Sequence, residues 1–307
     1  METELMKRET TYKSGFVTFI GKPNVGKSTL LNKLVGDKIA ITSRRPQTTR
    51  NVIKGIVTFD EAQIIFIDTP GFVELEKAPT AADRRIVEKA LEGLAGVDII
   101  VVVADHRPPA DQDFVIMERI KELERPIILA INKSDRMQES ELEEQVERFQ
   151  SCFAFHKIIP VSATRGSNLS ILAGEIIQLL PQHAPHYASN IATDQTERAL
   201  VAELIREKIF QLARQEIPYS CIVQLEEMTE RDNGVTYISA AIYVEHKSQK
   251  GILIGKRGKM IKSLGQLARE DIERRLNCKV YLALRVGVKK NWRNRLTDIQ
   301  VIDPGRM

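Results

Sequence analysis

Eight residues, Gly21-Lys22-Pro23-Asn24-Val25-Gly26-Lys27-Ser28, have the types and spacing to hold a chain of phosphates. They follow the apolar run 16–20 and lead through Thr29 into a helical pattern over 29–34. Strand, then G-x-x-x-x-G-K-[ST], then helix is the context that a phosphate-binding loop requires. The glycines let successive N–H groups turn inward as an anion nest, and the following helix adds its positive N-terminal end. Lys27 would reach the outer phosphates, and the Ser28 hydroxyl would ligate Mg2+.

Three more polar motifs each close an apolar run. Asp68-Thr69-Pro70-Gly71 follows 63–67. Asp68 is placed to hold a Mg2+-bound water, and Gly71 leaves its N–H open to a terminal phosphate. Asn132-Lys133-Ser134-Asp135 follows 126–131. A carboxylate there can accept from the N1–H and 2-amino group of guanine, a donor pair that adenine lacks. Ser162-Ala163-Thr164 follows 157–161, with the Ala163 N–H available to guanine O6. Residues 43–50, Ser-Arg-Arg-Pro-Gln-Thr-Thr-Arg, read as a mobile loop in which one threonine completes the Mg2+ shell.

These motifs need a scaffold. The runs 16–20, 63–67, 98–103, 126–131 and 157–161 are nearly continuous in Ile and Val, as in parallel strands buried on both faces. Residues 53–59 suit an antiparallel edge strand. Strands alternating with helical patterns predict a doubly wound α/β sheet, whose ligands sit at the carboxyl ends of the strands. Every motif above falls at such an end.

The periodicity stops near Leu180-Pro181-Gln182-His183-Ala184-Pro185, which reads as a linker. A helix over 197–215 follows, then strands over 220–225 and 235–244 about the turn Arg231-Asp232-Asn233-Gly234. Next come Gly251-Ile252-Leu253-Ile254-Gly255-Lys256-Arg257-Gly258, a helix bearing Met260, Ile261, Leu264, Leu267, Ile272 and Leu276, and a last strand over 280–288.

At 307 residues the chain favours two domains, and 43% hydrophobic with 28% charged residues excludes global disorder. No apolar run approaches the roughly 20 residues that span a bilayer, and residues 1–14 lack the apolar core of a signal peptide, reading as a tail. Cys152, Cys221 and Cys278 are odd in number and far apart, as in reduced thiols of a cytosolic protein. The net charge of +4 conceals a segregation: residues 247–295 carry 15 Lys and Arg against 3 Asp and Glu. Such asymmetry points to an anionic partner for the C-terminal half.

The series G-K-P-N-V-G-K-S, Q-T-T-R, D-T-P-G, N-K-S-D and S-A-T resembles the five motifs of translation-factor-related GTPases, and in particular the Era branch. The resemblance implies Thr49, rather than Thr48, as the Mg2+ ligand alongside Ser28 and Asp68. Lys27, Asn24, Thr49 and Gly71 become the candidate catalytic groups. It also implies a K+ ion beside Asn24 acting like an arginine finger. Where Ras-type enzymes place a water-orienting Gln, this chain has Phe72, which implies slow intrinsic hydrolysis.

The second half resembles a type II KH domain, with Gly255-Lys256-Arg257-Gly258 as its GxxG loop. That resemblance implies RNA contact by Ile252, Ile254, Lys256, Arg257, Lys259 and Lys262, extended by Lys289, Lys290 and Arg293. Tyr237, Tyr243, Tyr281 and Trp292 are the few candidate stacking rings, each expected to pack rather than stack. The last strand has Leu284-Arg285-Val286-Gly287-Val288 where the family more often has Trp-Val-Lys-Val.

The expected division is a tail over 1–14, a GTPase domain over 15–181, a linker over 182–196 and a KH domain over 197–307. The implied partners are GTP and GDP, the 3′ end of 16S ribosomal RNA and the small ribosomal subunit. A cytoplasmic monomer with peripheral contact to the inner membrane is expected. Two other classes, a P-loop kinase and a non-catalytic RNA scaffold with a structural nucleotide, stand against this reading.

Overall fold

Strands with Ile or Val at nearly every position can bury both faces, and the first half of the chain does so. The computed structural model describes residues 12–42, 53–68 and 96–294. Its first unit contains β1 (Lys13–Ile20), α1 (Lys27–Val35), β2 (Ile53–Thr58), β3 (Ala62–Asp68), β4 (Ile99–Ala104), α2 (Asp111–Lys121), β5 (Ile127–Ile131), α3 (Glu139–Cys152), β6 (Lys157–Pro160) and α4 (Leu169–Leu179). The six strands form one sheet in the order β2-β3-β1-β4-β5-β6. All pairings are parallel except the edge strand β2, which runs antiparallel to β3.

Alternate residues of the central strands enter two separate cores. Phe19, Phe66, Val101 and Val103 pack with Leu30 and Leu31 of α1 and Leu172 and Ile176 of α4. Ile20, Ile100, Val102 and Leu129 pack with Ile116 and Ile120 of α2 and Phe149 of α3. The chain order reverses at β1, so the loop after β1 lies at the switch point where a crevice opens in such sheets.

In this unit the strands match the runs named from sequence to within a few residues, whereas the strand of the second unit expected over 220–225 runs on to Glu230; two other differences lie in the first unit. Residues 13–14, expected in the tail, are the first two of β1: Lys13 N–H donates to Glu61 O and Ser14 N–H to Pro181 O. Polar letters disguised this, because Gly15 leaves no room for a side chain. A Cβ there would stand 2.5 Å from Asp98 Oδ2, and that carboxylate accepts from Phe16 N–H at 2.7 Å. The second difference is at 182–196, expected as a linker. His186 and Tyr187 N–H groups both donate to the buried Gln63 Oε1, Lys54 pairs with Asp194 at 3.0 Å, and Thr193 bridges to Gly55. At this junction the first unit runs to Asp194 and the second resumes at Gln195. Residues 1–11, within the expected tail, lie outside the described residues.

The second unit holds α5 (Glu197–Leu212), β7 (Cys221–Glu230), β8 (Val235–Val244), α6 (Lys247–Ile254), α7 (Lys259–Leu276) and β9 (Lys279–Val288). Its sheet order is β7-β8-β9, with β8 antiparallel to β7 and parallel to β9. Thr196 caps α5 by accepting from Ala199 N–H at 3.2 Å. The helix expected to reach 215 stops at Leu212, and Ala213 is extended. Ile238, Ala240, Ile242 and Val244 of β8 face a core with Leu204, Ile209, Leu264, Ala268 and Ile272. Among the described residues, no helix is long and apolar enough to cross a membrane.

A buried ion pair crosses that core: Lys208 Nζ of α5 lies 2.5 Å from Asp271 of α7 and 3.3 Å from Glu207. Removing the cation takes from the buried Glu207 and the half-buried Asp271 the charge that they share. Lys208→Ala should therefore cost about 3 kcal/mol, read as a lowered urea midpoint.

Candidate functional site

The loop after β1 is built around its glycines. Gly21 (φ 157°) passes so close to β4 that a Cβ would lie 2.2 Å from Val103 O. Gly26 (φ 106°) has Asn132 Nδ2 where a Cβ would be, at 2.3 Å. No other residue type fits either place. Lys27 Nζ donates to the carbonyls of Gly21 (2.8 Å) and Lys22 (2.9 Å), closing the loop over itself. The Lys22 ammonium is committed elsewhere, 2.5 Å from Asp113, which also accepts from Ala110 N–H at the start of α2. Lys22 therefore anchors the loop to α2. Pro23 and the exposed Asn24 form the outer bend, Asn24 with φ 65°.

Ser28 at the start of α1 and Asp68 at the end of β3 meet, Ser28 Oγ donating to Asp68 Oδ2 at 2.8 Å. Thr29 follows in α1. Thr49, its alternative Thr48, Thr69, Pro70, Gly71 and Phe72 lie outside the described residues.

Asn132 directly follows β5 and is 2% exposed. Its Nδ2 donates to Val25 O at 2.8 Å, while its Oδ1 accepts from Lys133 N–H at 2.8 Å and Ala163 N–H at 3.0 Å. The side chain thus ties the phosphate loop to the two later turns. The Ala163 N–H, expected to meet guanine O6, is engaged with Asn132. Lys133 (φ 63°) turns back, its Nζ donating to Asn24 O at 2.7 Å and Asp105 Oδ2 at 2.9 Å. Asp135 Oδ1 accepts from Ser162 Oγ at 2.6 Å, and Ser162 Oγ lies 3.3 Å from Thr164 Oγ1. The Ser162 hydroxyl holds the Asp135 carboxyl below its ordinary value. Asp135 is therefore an ionised acceptor with one oxygen oriented by its neighbour.

Asp105, just beyond β4, escaped the sequence reading. It is 1% exposed and is gripped by Arg107 (Nη2 at 2.9 Å) and Lys133. Burial pushes its carboxyl up, but the hydrogen bonds from Arg107 and Lys133 outweigh burial and leave it at about 2. Its position at the carboxyl end of a central strand, like that of the other motifs, was the signal to follow.

In the second unit, α6 ends at Gly255 (φ 72°) and α7 starts after Gly258 (φ 74°), with Arg257 also left-handed at 53°. A Cβ on Gly255 would meet Met260 Cβ at 2.6 Å, whereas Gly258 faces open space. Lys256, Arg257, Lys259 and Lys262 are all exposed. Among the described residues, none of the four has an ion-pair partner. Ile252 is 48% exposed beside them, while Ile254 packs on the core. Lys290 is exposed, and Lys289 Nζ sits 4.3 Å over the Tyr243 ring. Arg293 is drawn away from this surface, donating to Tyr219 O and pairing with Glu245. The cause is Trp292, which is buried and donates to Ser220 O at 3.2 Å.

Asp105→Asn tests the link from β4 to Lys133. A carboxyl depressed from 3.8 to about 2 stabilises the fold above its ordinary value and loses that effect as pH falls through 2, worth roughly 2 kcal/mol. The variant should be less stable than the parent at neutral pH, and urea midpoints of the two should converge as pH falls from 4 toward 2. Its affinity for nucleotide should drop as Lys133 loses its anchor.

Residues 16–133 match the model of a family described as 50S ribosome-binding GTPase, and residues 216–293 match the KH domain model. GTPase Era of Halothermothrix orenii is 49% identical over 93% of this chain and 96% of that protein. GTPase Era of Geotalea daltonii is 45% identical over 92% of this chain and 95% of that protein. Among solved structures, an Aquifex aeolicus Era variant bound to GDP.AlF4- superposes with a TM-score of 0.90 at 36% identity, covering 95% of this chain and 99% of that one. Era in complex with MgGDPNP and nucleotides 1506–1542 of 16S ribosomal RNA gives 0.91, also at 36% identity and the same coverage. With a GTPase domain and a KH domain matched in order, and nearly half its residues shared with a full-length relative, this chain belongs to the Era family of GTPases and is a GTP hydrolase.

Proposed function

We propose that this GTPase is a slow switch that binds the 3′ end of 16S ribosomal RNA through its KH domain and assists assembly of the small ribosomal subunit. The observation that carries the RNA half is the run of exposed cations, Lys256, Arg257, Lys259 and Lys262, with no ion-pair partner among the described residues, around a glycine-opened loop beside the exposed Ile252. Glycines admit the nucleic-acid backbone, the cations meet phosphate, and Ile252 with the half-buried Ile254 forms an apolar wall for bases. Lys289 and Lys290 extend the surface. A relative solved with nucleotides 1506–1542 of 16S ribosomal RNA supports that choice of RNA.

At the nucleotide site, Asp135 would accept the guanine N1–H and 2-amino group while Ser162 holds its second hydrogen-bonding position. Lys27 would exchange one of its two carbonyl partners for a phosphate oxygen. The Ser28 hydroxyl and Asp68 carboxylate, 2.8 Å apart, are hard oxygen donors that fit Mg2+, with Thr49 as the further ligand. Mg2+, when bound, neutralises charge developing on the phosphates. The exposed Asn24 is offered to K+. The backbone N–H of Gly71 would meet the terminal phosphate, and Phe72 leaves the attacking water without a side-chain base, so turnover is slow. Residues 13–194 form the GTPase domain on this reading and residues 195–307 the KH domain. The protein acts as a monomer, with any membrane contact peripheral and electrostatic.

Asp135→Asn should lower GTP affinity at least about a hundredfold, because a buried recognition pair is lost, while thermal stability changes little. Retained GTP preference would overturn the guanine assignment. Hydrolysis should be faster in K+ than in Na+, and Asn24→Ala should remove the difference. RNA crosslinked in cell extract should be enriched for the 3′ end of 16S RNA with a non-hydrolysable GTP analogue and not with GDP. Equal recovery in both states would overturn the switch.

A further inference from the structure

The sheet of the second unit has one face turned away from its core. On β8, Ile238, Ala240, Ile242 and Val244 point inward, so Tyr237, Ser239, Ala241 and Tyr243 lie on the opposite face. Tyr237 pairs in register with Tyr281 of β9. Their rings stack, with centroids 5.8 Å apart and planes 14° from parallel. The Arg231 guanidinium lies 4.3 Å from the Tyr237 centroid. Arg231 arrives from the β7 side of β8 and Tyr281 from the β9 side, so the three groups form a stack in the order Arg231, Tyr237, Tyr281.

That stack is unfinished. β9 is an edge strand, so among the described residues no strand faces the far side of Tyr281. The residue is 59% exposed. Among the described residues of the second unit, the exposed large apolar side chains are Tyr281 and Ile252, the latter beside the GxxG loop. Lys279, two residues before Tyr281 on the same face of the same strand, is exposed too. Neither Lys279 nor Arg231 has a carboxylate partner among the described residues. Ser239 and Ala283, also on this face, are small.

We propose that the Tyr281 end of this sheet face is a second single-stranded RNA contact, in which a base stacks on the free side of Tyr281 and continues the Arg231–Tyr237–Tyr281 stack. Arg231 and Lys279 meet the flanking phosphates. Aromatic rings topped by arginine, with small residues between, are the makings of a base-stacking platform. Exposed large aliphatic side chains, which would suit a protein partner, are missing from the described part of this face. The inference rests on the RNA reading above. A KH cleft holds about four nucleotides, far fewer than the span 1506–1542 bound by the relative, so RNA of that length has material to spare for a second surface.

The test compares two RNAs on the full chain: nucleotides 1506–1542 of 16S RNA, and a short single-stranded oligomer from their 3′ end that fills the cleft alone. Tyr281→Ala should weaken binding of the longer RNA by about 5- to 100-fold, the range of one base stacked on an aromatic ring, and leave the short oligomer unaffected. Tyr281→Phe should bind both like the parent, and photocrosslinking to the longer RNA should yield an adduct on the peptide containing Tyr281. A thermal melt unchanged by Tyr281→Ala excludes misfolding as the cause. Parental affinity of Tyr281→Ala for both RNAs overturns the proposal. So does unchanged RNA affinity with lost binding to small ribosomal subunits, which would assign the face to a protein. If the parent binds neither RNA, the RNA reading itself fails, and that outcome is distinct from the other two.

Discussion

The nucleotide site depends on one buried amide. Asn132 makes hydrogen bonds to Val25 O, Lys133 N–H and Ala163 N–H, three points contributed by three loops that are far apart in sequence. A buried amide with its donors and acceptors met holds its surroundings in a single arrangement, since any shift strands a polar atom away from water. The same side chain occupies the space that a Cβ on Gly26 would need. The phosphate loop, the base-recognition turn and the turn before α4 are therefore one rigid piece, and the glycine is a condition of that rigidity.

Charged side chains reinforce the piece from outside. Lys133 reaches back to Asn24 O and is itself held by Asp105, and Lys22 ties the front of the loop to α2 through Asp113. These lysines spend their charge on structure. Lys27 donates to two neutral carbonyls, and a phosphate can replace partners of that kind at little cost. Such a site is preorganised for binding.

The second unit divides its charge in the opposite way. Its interior cation Lys208 is neutralised by Glu207 and Asp271, whereas Lys256, Arg257, Lys259 and Lys262 are left to solvent at the loop between α6 and α7. Counting lysines and arginines along the sequence mixes these populations. Burial separates them, and it also withdraws Arg293, which Trp292 carries inward.

The sequence by itself determined the alternation of strand and helix, the antiparallel edge strand, the P-loop, the guanine-type N-K-S-D turn and the GxxG loop, because each is written in contiguous residues of distinctive type. Only the tertiary structure decided which polar groups meet one another. Asn132, Lys22 and the Ala163 N–H tie distant segments together, Asp105 enters the site from a loop with no motif, and residues 182–194 pack on the first unit although their prolines mark a break. Lys13 and Ser14 join β1 for reasons that lie in Glu61, Asp98 and Pro181. Tyr281, expected to pack, stands exposed because β9 closes the sheet at its edge. The physical reason is common to all of them: periodicity and short motifs report what a residue does to its chain neighbours, while hydrogen bonds and burial are settled between segments that meet only when the chain has folded.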